Sequence, residues 1–260
     1  MSPPPAHLLA LHGFTGTGDD FEALLPLTPG IVWVTPDLPG HGSAADVEPL
    51  AALLERLTAA LLALPRPRAL GGYSMGGRIA LQLMATLQET HPGALDAVIL
   101  IGASPGLADP TEAAARRAAD EALATQAEAE GARAFLARWR SAPILQSQAQ
   151  IPEPWRSRML ARREACRAAG LAASLRVYGT GALPSLWERL PQLTTPTTLF
   201  AGALDPKFVR VHAEMAAKMP SARALVLPGV GHTAHLEAPA VFAAALTQAL
   251  APILKTGGAP

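Results

Sequence analysis

Gly72-Tyr73-Ser74-Met75-Gly76 is the stretch on which the reading of this chain turns. It stands where a short apolar run, Ala69 to Tyr73, gives way to a longer stretch of helical spacing from Gly76 to Thr90. Gly-x-Ser-x-Gly at a strand-to-helix junction forms a nucleophile elbow: the serine occupies a strained turn, and the two glycines let neighbouring backbone close on it. Such a string recurs by chance in a chain with 22 glycines. Its setting makes it specific, because a strand precedes it, a helix follows, and candidate partners come later in the order Ser, Asp, His.

Working outward, short apolar runs ending in Gly, Pro or Asp alternate with Ala/Leu-rich helical stretches, which is the pattern of strand-helix units building a parallel sheet. His7 to Leu11 reads as a strand ending at His12-Gly13-Phe14-Thr15-Gly16, and Ile31 to Thr35 as one ending at Asp37-Leu38-Pro39-Gly40-His41-Gly42. Helix is expected from about Val47 to Leu64, and Val98 to Ile101 is a further strand. From about Pro105 to Leu190 strand-like runs almost vanish, and Ala, Arg and Glu at helical spacing dominate Thr111 to Arg140 and Glu153 to Tyr178. The rhythm resumes with strands Thr197 to Ala201 and Ala224 to Leu227, a last helix from about Pro239 to Leu254, and a tail, Lys255 to Pro260, expected to fray. The expected fold is therefore α/β. It has a mostly parallel sheet flanked by helices as its core, residues 1–104 and 191–260, and an inserted helical cap, residues 105–190.

Composition narrows the partners. Half of the 260 residues are hydrophobic, enough for a substantial core. Lys plus Arg equals Asp plus Glu at 21 each, so no global field favours nucleic acid or an acidic membrane. The charge is nonetheless divided: 105–190 holds 12 arginines against 9 acids, and the remainder holds 9 basic residues against 12 acids. No run approaches the ~18 apolar residues of a membrane span, and Met1 to Leu11 does not resemble a signal peptide. The only cysteine, Cys166, excludes an intramolecular disulfide and reads as a packing residue in a cytoplasmic protein. A small-molecule ligand is expected, with the chain a monomer or weak homo-oligomer.

A serine hydroxyl becomes reactive near neutral pH only when an imidazole takes its proton, and a carboxylate must orient that imidazole. His232, in Pro228-Gly229-Val230-Gly231-His232 after a strand, is the expected base, with His235 the local competitor. Asp205 follows a strand at the same carboxyl edge of the sheet, where open α/β sheets bind ligands. Asp37 is the alternative acid, although its surroundings read as a turn that routes the chain. Oxyanion stabilisation is expected from the backbone amides of Phe14 and Met75, worth about 3 kcal/mol each. His12 and His41 sit in Gly-rich turns and read as structural. No His/Cys/carboxylate cluster has metal-ligand spacing, and no phosphate-binding glycine fingerprint opens a helix.

Arg78 lies one helical turn after Ser74, facing either the pocket mouth or solvent. Arg116 and Arg117, Arg133, Arg138, Arg140 and the run Arg156 to Arg167 make the cap basic. Most are surface charge; two or three aimed at Ser74 would form sites for carboxylates.

Several strings together resemble the 2-succinyl-6-hydroxy-2,4-cyclohexadiene-1-carboxylate synthases of menaquinone biosynthesis, a branch of the α/β-hydrolase superfamily. The more specific are Gly72-Tyr73-Ser74-Met75-Gly76-Gly77-Arg78 and Asp205-Pro206-Lys207-Phe208. Leu11-His12-Gly13-Phe14-Thr15-Gly16, Asp37-Leu38-Pro39-Gly40-His41-Gly42, Ser104-Pro105-Gly106-Leu107, Gly179-Thr180-Gly181, Pro184-Ser185-Leu186-Trp187 and Gly231-His232-Thr233-Ala234-His235 extend the resemblance over almost the whole chain. It implies a lyase that eliminates pyruvate from a cyclohexene bearing succinyl, carboxylate and enolpyruvyl groups, with no metal or organic cofactor, its serine abstracting a ring proton. It also implies that the substrate-binding residues are Tyr73, Arg78, Arg116, Trp139 and Arg163, with Arg117 or Arg162 able to exchange with its neighbour.

Overall fold

Alternation along each strand sorts the side chains onto the two sides of a sheet. In the computed structural model, which describes residues 4–44 and 46–255, the strands are β1 (Ala6–Leu11), β2 (Ile31–Val34), β3 (Arg68–Tyr73), β4 (Ala97–Ile101), β5 (Thr197–Gly202) and β6 (Ala222–Leu227). All pair in parallel, in the order β2-β1-β3-β4-β5-β6. Leu9, Leu70, Leu100 and Leu199 face one layer, with Leu53, Leu57 and Leu61 of α1 (Leu50–Leu62) and Ile79, Leu83 and Met84 of α2 (Met75–Thr90). Their neighbours Leu8, Ala69, Ile99 and Phe200 face the other layer, with Phe21 and Leu24 of a 3-10 segment (Gly18–Leu27) and Phe242, Leu246 and Leu250 of α9 (Pro239–Lys255). Each fully buried leucine contributes about 2 kcal/mol. β3, β4 and β5 are covered on both faces, so side chains of both alternations are buried from Ala69 to Tyr73, Ala97 to Ile101 and Thr197 to Gly202.

The sheet fixes where a site can form. The chain leaves β1 toward β2 on one side and continues from β3 on the other, so the direction of winding reverses between β1 and β3. Their carboxyl ends diverge there, and that opening holds the loop after β1 and Ser74 after β3.

Between β4 and β5 the described residues form no strand but α3 (Pro110–Glu130), α4 (Ala132–Trp139), a 3-10 segment (Pro143–Gln150), α5 (Trp155–Glu164), α6 (Ala168–Tyr178) and a further 3-10 segment (Trp187–Gln192). The expected single stretch Thr111 to Arg140 is thus two helices, broken at Gly131, whose φ of 81° a helix cannot carry. Asp109 caps the first of them, its Oδ1 accepting from the amides of Thr111 at 2.6 Å and Glu112 at 2.9 Å. Glu153 to Tyr178 is likewise two helices, divided near Arg167, whose backbone is extended. The helix expected from Val47 begins at Leu50, because Pro49 holds an extended N-cap. Two helices that the sequence pattern did not mark, α7 (Pro206–Lys218) and α8 (Ala234–Glu237), stand beside the carboxyl ends of β5 and β6. Of the tail expected to fray, Lys255 is the last residue of α9, and 256–260 lie outside the described residues. No helix of the described residues is long and apolar enough to cross a membrane.

Candidate active site

Ser74 ends β3 in a conformation that most residues avoid, φ 52° and ψ −109°, and α2 begins at the next residue. Its amide donates to the Ile101 carbonyl of β4 at 2.8 Å, and its own carbonyl accepts from Arg78 N at 3.0 Å, so strand and helix both grip the turn. The turn closes only because Gly72 and Gly76 lack side chains: a Cβ on Gly76 would overlap the carbonyls of Leu11 and His12, and one on Gly72 would overlap the backbone at Gly76 and Gly77.

Ser74, His232 and Asp205 come together. His232 Nε2 lies 3.1 Å from Ser74 Oγ, and its Nδ1 lies 2.7 Å from Asp205 Oδ2. Asp205 also caps α7, its Oδ1 accepting from Phe208 N at 3.3 Å, which fixes the carboxylate at the end of β5. The imidazole is packed between two rings, Phe208 at 4.9 Å and Tyr73 at 5.3 Å between centroids. Gly102, at φ 54°, makes room beside it; a Cβ there would stand 2.8 Å from the imidazole. The amides of Phe14 and Met75 have no protein acceptor among the described residues, and both residues line the cavity above Ser74.

The alternatives stand elsewhere. Asp37 accepts from Gly18 N at 2.9 Å and from the amide and hydroxyl of Ser43 at 2.8 Å, tying a turn rather than orienting His232. His235 is fully buried among Phe21, Tyr73 and Phe242, with neither ring nitrogen hydrogen-bonded. His12 is a staple: Nε2 accepts from Leu38 N at 2.8 Å, so Nδ1 carries the proton it donates to the Gly13 carbonyl at 2.8 Å. Burial lowers its pKa, in keeping with that neutral form. His41 is buried too, beside the Pro39 carbonyl at 3.1 Å.

A cavity of about 380 Å³ opens over Ser74, within the range of small-molecule sites. Tyr73, Arg78, Arg116, Trp139 and Arg163 all line it. Arg78 is held by the Tyr178 carbonyl at 3.1 Å, and its Nε is unpartnered. Burial, then the charge of Arg116, pushes its pKa down to about 10, which leaves it charged at neutral pH. Arg116 pairs with Asp120 at 2.8 Å. Of the neighbouring pairs, Arg117 turns away to the Gly181 carbonyl, and Arg162 to Glu22 and Asp20. Arg138, Arg156, Arg158 and Arg176 are likewise spent on surface ion pairs. Trp139 stands edge-on to Phe14, 5.1 Å between centroids, as an apolar wall. Tyr73 places its hydroxyl 3.0 Å from Thr233 Oγ1.

Of the lining residues that no motif assigned to the site, Lys207 and Gln148 carry the strongest polar groups. Lys207 follows Asp205 by two positions, and burial together with Arg116 and Arg78 lowers its pKa. The Asp-Pro start of a helix after a strand was the available signal for it. Gln148, 7% exposed, bears no motif at all. Four cationic side chains therefore line the cavity, and among its lining residues none is acidic. Among the described residues, no three His, Cys, Asp or Glu side chains are grouped to hold a metal ion.

Residues 8–245 match the model of the alpha/beta hydrolase family. The 2-succinyl-6-hydroxy-2,4-cyclohexadiene-1-carboxylate synthase of Pectobacterium atrosepticum is 32% identical over 94% of this chain and 93% of its own length. The Escherichia coli O1:K1 protein of the same name is also 32% identical, over 94% and 93%. The solved structure of MenH from S. aureus superposes with a TM-score of 0.85 at 28% identity, covering 96% of this chain and 94% of the other. This parallel sheet, its elbow serine and near end-to-end relatives make the chain an α/β-hydrolase-fold enzyme that belongs to the 2-succinyl-6-hydroxy-2,4-cyclohexadiene-1-carboxylate synthase family.

Proposed function

We propose that this enzyme eliminates pyruvate from 2-succinyl-5-enolpyruvyl-6-hydroxy-3-cyclohexene-1-carboxylate to form 2-succinyl-6-hydroxy-2,4-cyclohexadiene-1-carboxylate, a step of menaquinone biosynthesis. The observation that supports it best is the cavity over Ser74, with four cations and no acid among its lining residues. The substrate carries three carboxylates, and buried guanidinium groups are the usual partners for them.

Substrate and product define the bonds that change. A proton leaves ring carbon 2, which bears the succinyl ketone, and the bond from carbon 5 to the enolpyruvyl oxygen breaks. In this reading Ser74 Oγ takes the carbon-2 proton as its own proton passes to His232 Nε2, and Asp205 stabilises the resulting imidazolium. The electron pair moves onto the succinyl carbonyl, where the amides of Phe14 and Met75 donate. It then returns through the ring double bond to expel the enolate of pyruvate, which takes the proton from His232. Arg78, Arg116, Arg163 and Lys207 hold the carboxylates, and Tyr73 and Trp139 bound the ring. Residues 105–190 act as a cap that brings Arg116, Trp139 and Arg163 over the core.

The purified chain is expected to release pyruvate from this substrate well above the spontaneous rate, and Ser74→Ala or His232→Ala to lower kcat/KM by about 10³-fold. Turnover no faster than the uncatalysed elimination would sink the reading. A second reading, a carboxylesterase or carbon-carbon hydrolase, draws on the Ser74-His232-Asp205 distances, which suit acyl transfer equally well. A product burst from an activated ester, with an acyl group trapped on Ser74, would favour it.

A further inference from the structure

A buried guanidinium is ordinarily paired with a carboxylate, because an uncompensated buried charge is costly. Arg163 departs from that pattern. It is 5% exposed, and the two nearby acids, Glu22 and Asp20, make their direct ion pairs with Arg162, so that the buried Asp20 carboxylate acts on Arg163 only through space. What holds Arg163 is a neutral oxygen, Gln148 Oε1, at 2.8 Å, and its Nε has no partner.

Gln148 is itself held from the other side. Its Nε2 donates to Thr233 Oγ1 at 2.9 Å, and that hydroxyl also meets Tyr73 OH at 3.0 Å. Arginine offers only donors, so the amide oxygen must face it and the NH₂ must face Thr233. One residue earlier, Ser147 Oγ donates to Glu237 Oε1 at 2.8 Å. The Glu237 carboxylate also accepts from Gly231 N at 2.5 Å and Thr233 N at 3.0 Å, the amides on either side of His232. The 3-10 segment that carries Ser147 and Gln148 is thus tied to the His232 loop at two adjacent positions, and one of those ties aims Arg163.

We infer that Gln148 is a positioning residue for substrate recognition: it fixes Arg163 in the pocket with a neutral acceptor, leaving a guanidinium with no hydrogen-bonded carboxylate of its own to meet one from the substrate. Glutamate is of the same size and would form the same bond, but it would cancel that charge. Arg78 is held in the same manner by a backbone carbonyl, whereas Arg116 shares its charge with Asp120. The inference rests on the proposed substrate of several carboxylates.

The test uses the full chain with Gln148→Ala, Gln148→Glu, Arg163→Ala, and the last two combined. Each is assayed for pyruvate release, titrated calorimetrically with propane-1,2,3-tricarboxylate, and checked for its thermal midpoint. Gln148→Glu is expected to raise KM, and to weaken tricarboxylate binding, by about tenfold to a hundredfold. Gln148→Ala is expected to cost about threefold to tenfold, since the charge survives its loosened tether. The kcat values are expected to move less than about threefold, and the glutamate to add nothing once Arg163 is alanine. A merely structural role predicts the opposite order, with isosteric glutamate milder than alanine. Binding by Gln148→Glu equal to that of the unsubstituted chain, or a loss that persists in full without Arg163, overturns the inference. Absence of pyruvate release by the unsubstituted chain counts against the proposed reaction, and the tricarboxylate titration still decides the role of Gln148.

Discussion

Ser74 sits at a backbone angle that only its surroundings maintain, and His232 is gripped by two rings and a carboxylate. Such constraint suits a base that must meet a carbon-bound proton along one line. In the proposed reaction recognition falls to the cations. Arg78→Ala is expected to raise KM for the tricarboxylate substrate about tenfold or more while changing turnover of a small neutral ester by less than about threefold. Equal losses on both substrates, in parallel steady-state assays, would show that Arg78 supports the fold rather than reads carboxylates. That Ser74, His232 and Asp205 would meet was legible in the sequence, because their chemistry narrows the residue types and each follows a strand at one sheet edge. Gln148 was not. Its partners are Arg163, fifteen positions on, and Thr233, eighty-five positions on, and nothing local distinguishes a glutamine that bridges them from one on the surface.

At the scale of elements, the four-residue helix α8 matters beyond its length, because Glu237 binds both amides flanking His232 and the hydroxyl of Ser147. Glu237→Ala removes three hydrogen bonds from a buried position, each worth about 1 kcal/mol. It is expected to lower unfolding stability by about 2–4 kcal/mol in urea titration, and to reduce kcat more than it raises KM, since the loop of the base loses its anchor. An unchanged kcat would show that the loop keeps its shape without the carboxylate. The strands were legible from alternation and from their Gly, Pro and Asp ends. The 3-10 segments were not, since Pro26 and Pro191 interrupt two of them and a three-residue turn leaves no 3.6-residue stripe. α7 follows the Asp205-Pro206 cap directly, so its start was written in the chain although its extent was not assigned.

Over the whole molecule, neutrality conceals two features. The first is a set of buried histidines. Burial pushes His41 and His235 down to about 3 and His212 to about 4. The unfolded chain protonates these groups near 6.5 while the folded chain refuses the proton, so stability is lost as pH falls from about 6.5 toward 4. Each costs about 2 kcal/mol at pH 5. Asp20 works the other way, because burial raises its pKa and lets the folded state take up a proton early. The thermal midpoint is expected to fall steeply between pH 7 and pH 5, and His235→Phe, which keeps a ring among Phe21, Tyr73 and Phe242, to flatten that fall. A pH profile identical with and without His235 would contradict the assignment.

The second feature is the cationic cavity in a chain whose charges sum to zero. Its attraction cannot be felt far away: at physiological ionic strength it fades within about 8 Å. The proposed trianionic reactant would therefore be drawn in only at the mouth, and its encounter is expected to slow as salt rises. Citrate, sulfate or phosphate in the medium is expected to compete for the same four side chains, so KM measured for the proposed substrate should rise with the concentration of such buffer anions.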